Sequence, residues 1–121
     1  MDERPLNVIA IWVLLAVSEE PCHLYGLRGR IYGLSLAYVI PNPETLRSSL
    51  KMLVREGLVA EVGYEEGSAS RFNRKMYRIT DKGLGALHYQ RTGLMMAVKA
   101  IDHAEARRFI EAGGWRQARL D

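Results

Sequence analysis

Residues 6 to 17, "LNVIAIWVLLAV", are apolar on nearly every face, which predicts a helix over residues 6 to 18 enclosed by other elements. Pro5 suits its first turn, and Pro21 prevents the helix from continuing. In "HLYGLRGRIYG", residues 23 to 33, Leu24, Leu27 and Ile31 recur at three- and four-residue spacing, so a second helix is expected, shortened by its three glycines. Residues 41 to 59 carry the strongest local signals. Asn42 is a good N-cap, Pro43 fits the first helical position, Glu44 complements the positive helix start, and Gly57 is placed to end the element. Leu46, Leu50 and Leu53 share one face of this third helix, and Arg47, Ser48, Lys51 and Arg55 lie away from it.

From Leu58 the period falls to two. "LVAEVGY" and "RKMYRI" alternate as strands around the polar "EEGSASRFN", which predicts a hairpin with a long tip. Thr80 then caps a last helix that starts at Asp81, with an acid in its first turn, and runs to about residue 112. Leu84, Leu87, Leu94, Met95, Val98, Ile101 and Phe109 form a stripe along it that one small domain cannot bury alone, so a second copy of the chain is the expected partner. Gly113 and Gly114 end that helix before a short tail.

Three helices, a hairpin and a further helix is the order of a winged helix-turn-helix. The expected fold is therefore α+β, mostly α, with three helices, a two-stranded β wing and a long C-terminal dimerisation helix. Residues 1–80 would form the winged-helix DNA-binding domain, and residues 81–121 the dimerisation helix and tail.

Charge adds a partner class to this frame. The 121 residues carry a net charge of +3, which permits an anionic partner without requiring one. Position is more telling, because Arg71, Arg74 and Lys75 crowd the wing where long cationic side chains can reach phosphates. The predicted site comprises Asn42, Glu44, Thr45, Arg47, Ser48 and Lys51 on the third helix, Arg71, Asn73, Arg74 and Lys75 on the wing, and Tyr25 on the second helix. Asn42, Thr45, Ser48 and Lys51 are the expected base readers, and Arg47 with the wing residues the expected phosphate holders. The expected partners are double-stranded DNA and a second copy of the chain.

Three blocks, "VLLAVSEEPCHLYGLRGRI", "PETLRSSLKMLVREGLV" and "NRKMYRITDKGLGAL", resemble those of PadR-like transcriptional regulators in order and spacing, over roughly residues 8 to 87. The most specific pieces are L-x-x-L-x-x-E-G-L-V from Leu50 and R-K-x-Y-x-I-T-x-x-G from Arg74. This resemblance implies a DNA-binding regulator, commonly a repressor, dimerised through its C-terminal helix, and a two-fold dimer should favour a palindromic operator. It also implies a small aromatic or hydrophobic effector near the dimer interface, for which Trp12, Trp115, Met95 and Met96 are candidates, although such residues at helical spacing usually belong to a core. Two positions depart from the family pattern. Leu24 stands where a glycine usually precedes the tyrosine of the second helix, and Arg47 where the recognition helix usually has a tyrosine that touches the DNA backbone. An arginine can take that phosphate contact.

Other classes find less support. The run from residue 6 to 17 is shorter than the roughly 20 apolar residues of a membrane span, and it ends without a small-x-small cleavage pattern. One cysteine, Cys22, allows no internal disulfide, and a cytoplasmic location is the expectation. No catalytic, metal or cofactor site is predicted. Cys22 and His23 are neighbours whose side chains diverge, and His88 and His103 stand 15 residues apart on one helix. The competing reading is a winged-helix protein-interaction module, favoured by Glu61, Glu65 and Glu66 beside the wing, where acids oppose DNA.

Overall fold

The computed structural model describes residues 5–64 and 75–112. Its elements run α1 (Val8–Glu19), β1 (Cys22–His23), α2 (Leu24–Leu34), α3 (Pro43–Arg55), β2 (Val59–Tyr64), β3 (Lys75–Ile79) and α4 (Asp81–Glu111). This is the expected winged-helix order with one addition: the two-residue β1 pairs antiparallel with β3, so the sheet has three strands in the order β1-β3-β2. The stretch is too short for alternation to reveal.

Helix α1 starts later than its apolar run suggests. Asn7, not a residue near Pro5, is the N-cap, and its Oδ1 accepts from the Ala10 amide at 2.8 Å. Six α1 residues, Ala10, Ile11, Val13, Leu14, Ala16 and Val17, are buried. Leu27 and Ile31 from α2, Leu46, Leu50 and Leu53 from α3, and Leu58 and Val59 close over them to complete the core. Arg30 ties α2 to the end of α1, donating through Nη1 to the carbonyls of Ala16 and Glu20. The turn after α2 holds Leu36 and Ala37 at φ 52° and 69°, with Ser35 Oγ accepting from the Val39 amide at 2.9 Å.

A dense junction joins α3 to α4. Gly57, at φ 77°, lets the amides of Gly57 and Leu58 close on the carbonyls of Val54 and Leu53, so the chain leaves α3 in a Schellman turn with Leu58 buried. Thr80 Oγ1 donates to the Gly57 carbonyl at 2.7 Å and accepts from the Gly83 amide at 2.9 Å, capping α4 while anchoring it to that turn. Lys82 Nζ donates to the Glu56 carbonyl at 2.8 Å. The two most specific pieces of the resemblance thus meet at one joint.

Two compact units divide between Gln90 and Arg91. In the first, Gly83, Ala86 and Gln90 of α4 are buried and Gln90 Oε1 accepts from the Leu6 amide. In the second, residues 91–112 are exposed throughout, including Leu94, Met95, Val98, Ile101 and Phe109. Among the described residues, no helix is long and apolar enough to cross a membrane.

Candidate nucleic-acid interface

The predicted site begins at the N-terminus of α3. Asn42 Oδ1 accepts from the Glu44 amide at 2.7 Å, which commits its oxygen to the cap, and the residue is exposed. Leucines bury one side of α3, so Glu44, Thr45, Arg47, Ser48 and Lys51 are exposed on the other. Arg47 Nη1 lies 2.9 Å from Glu44 Oε1, an exposed pair one turn apart. Such a pair contributes little, so a phosphate can take the guanidinium.

Two clefts flank this face. A larger one of ≈ 340 Å³ has an apolar floor of Leu24, Leu50 and Val54 and is bordered by Arg47, Lys51, Arg55, Glu61 and Tyr77. The smaller, of ≈ 170 Å³, lies between α2 and α3 and is lined by Leu24, Tyr25, Arg28, Pro43, Leu46 and Arg47. Leu24 and Arg47, the two departures from the family pattern, therefore line both clefts. A shallow depression holding Thr45 and Ser48 is also lined by Asn7 and Met52.

Arg28 and Arg55 are absent from the predicted set. Arg28 sits three residues after Tyr25, and Arg55 four after Lys51, so helical spacing from residues already in that set would have found both. Glu61 and Tyr77 enter the site only through the sheet, where they are register partners across β2 and β3. His23 acts structurally, its Nδ1 accepting from the Gly26 amide to cap α2.

Of the predicted wing residues, Arg71, Asn73 and Arg74 lie outside the described residues, as do Glu65 and Glu66. Lys75 is described, and its Nζ stands 3.5 Å from Glu61 Oε2. The Glu61 carboxylate raises the Lys75 pKa above its usual 10.5, while burial raises that of Tyr77 above 10.0, so the site presents a firm ammonium beside a neutral phenol. A β-bulge between Glu61 and Tyr64, with Gly63 at φ 108°, brings Tyr64 opposite Lys75.

Among the predicted dimer residues, Leu87 packs against the core and Leu84 is exposed. Of the effector candidates, Trp12 packs against the core, Met95 and Met96 are exposed, and Trp115 lies outside the described residues.

No protein-family model and no curated protein matches the sequence. Solved structures do match. A transcriptional regulator from Clostridium thermocellum superposes with a TM-score of 0.69 at 20% identity, covering 78% of this chain and 87% of that one. A PadR-like transcriptional regulator from Bacillus cereus gives 0.65 at 23% identity, over 80% and 90% of the two chains. Bacillus subtilis PadR in complex with operator DNA gives 0.60 at 21% identity, over 69% of this chain and 46% of that one. The chain has the winged-helix fold of the PadR-like transcriptional regulators.

Proposed function

We propose that this protein is a PadR-like, DNA-binding transcriptional regulator of the cytoplasm, a homodimer that represses from a palindromic operator. The observation that carries this reading is the row Arg47, Lys51 and Arg55 along the exposed side of α3, beside Tyr25 and Arg28 of α2. A core-facing leucine stripe fixes the opposite side, so the cationic row has one outward direction. In this reading Thr45, Ser48 and Asn42 read base edges, and the arginines hold phosphates. Support also comes from the fold shared with a regulator solved on its operator.

In this reading residues 1–80 form the DNA-binding part, and residues 81–121 join two copies through the exposed apolar stripe of α4. A two-fold dimer would favour half-sites about one helical turn apart, about 10 base pairs. The effector in this reading is a small hydrophobic molecule bound near that interface.

The double variant Arg47→Ala with Arg55→Ala tests the phosphate assignment by fluorescence anisotropy across a salt series. Losing about two phosphate contacts should flatten the slope of log affinity against log salt by about 1.8 and weaken related and unrelated duplexes alike. An unchanged slope would place the DNA surface elsewhere, and a stable protein complex that resists nuclease and high salt would favour the interaction-module reading.

A further inference from the structure

We propose that Glu61 is a built-in competitor of the DNA phosphates, its carboxylate taking the place on Lys75 that a phosphate would take at the base of the wing. The proposal rests on the DNA-binding reading above and concerns how that surface is restrained. Among the described residues, Glu61 is the one acid lining a cleft whose other charged groups are Arg47, Lys51 and Arg55. It reaches the cleft from β2, opposite Tyr77, and from there meets Lys75 diagonally across the hairpin.

The geometry makes this contact competable. At 3.5 Å the pair is longer than a close hydrogen bond, and both side chains are nearly half exposed, at 41% for Lys75 and 46% for Glu61. An exposed pair of this kind adds little to stability, so it is a poor fold anchor. Its electrostatic effect on an arriving anion is larger in kind, because it cancels one cation beside the cationic row and leaves a negative oxygen facing the phosphates. Every duplex meets that opposition. The restraint lowers the purely electrostatic grip on arbitrary DNA, and a sequence that also offers base contacts can overcome it.

The test compares the full chain with Glu61→Gln, Lys75→Ala and the double variant, by anisotropy on a labelled duplex of unrelated sequence over a KCl series. Glutamine keeps the shape of an exposed side chain, so the fold should survive; circular dichroism verifies this. Glu61→Gln should bind about two- to fivefold more tightly at low salt, and its log-log salt slope should steepen by about 0.9, one added phosphate contact. In the Lys75→Ala background the slope should no longer steepen and the affinity gain should shrink, a result that a merely structural role for Glu61 would not produce. Identical affinity and slope for wild type and Glu61→Gln would overturn the proposal, as would an equal gain in the absence of Lys75. If wild type fails to bind the duplex at low salt while Glu61→Gln also fails, the DNA-binding reading itself falls and takes this inference with it.

Discussion

A methyl group on Gly83 would fall on the Leu58 carbonyl oxygen and against Ile79 Cγ1, so α4 can dock where it does only because this residue lacks a Cβ. The obstructing atom is backbone at a buried turn and cannot swing aside. Gly83→Ala should therefore destabilise the chain by about 3 kcal/mol or more, read by urea denaturation, where Gly85→Ala, with open space around it, should not. The motif around Thr80 and Gly83 was legible in the sequence as a resemblance. Its physical content, a cap and a close approach holding α4 to the end of α3, arises only in the folded chain because Leu58 and Gly83 are distant in sequence. The Glu61–Lys75 pair was hidden for the same reason, since register across a bulged hairpin cannot be counted from the sequence.

Helix α3 was the most legible element, because its cap, first-turn proline, leucine stripe and C-terminal glycine all agree on one segment. Its boundaries and its cationic side follow from those signals alone. Helix α1 was less so: a helix apolar all round gives no phase, and its start was set by Asn7 rather than by the proline two residues earlier. Asn42 allows stability and recognition to be separated within α3. Asn42→Ala should cost about 1 kcal/mol by denaturation through loss of the cap. If the amide also reads a base, operator affinity should fall further than affinity for unrelated duplexes, with the salt slope unchanged.

At the scale of the whole molecule, the proposed function assigns one surface to DNA and another to a second copy. Leu94, Met95, Val98, Ile101 and Phe109 fall within about 120° of the helix circumference, a strip of exposed apolar side chains that Asp102 and Glu105 interrupt before Phe109. A strip this long is an interface signature. Val98→Asp with Ile101→Asp should shift the protein from dimer to monomer in sedimentation velocity while the circular dichroism spectrum persists. Operator affinity should then fall steeply, because two half-sites are no longer held by one particle. DNA binding is the property on which all of this depends, and fluorescence anisotropy of wild-type protein on the duplex upstream of its own coding region, over a salt series with unrelated competitor, tests it. Salt-sensitive binding that survives competitor is the expected result. Absence of binding even at low salt would contradict it.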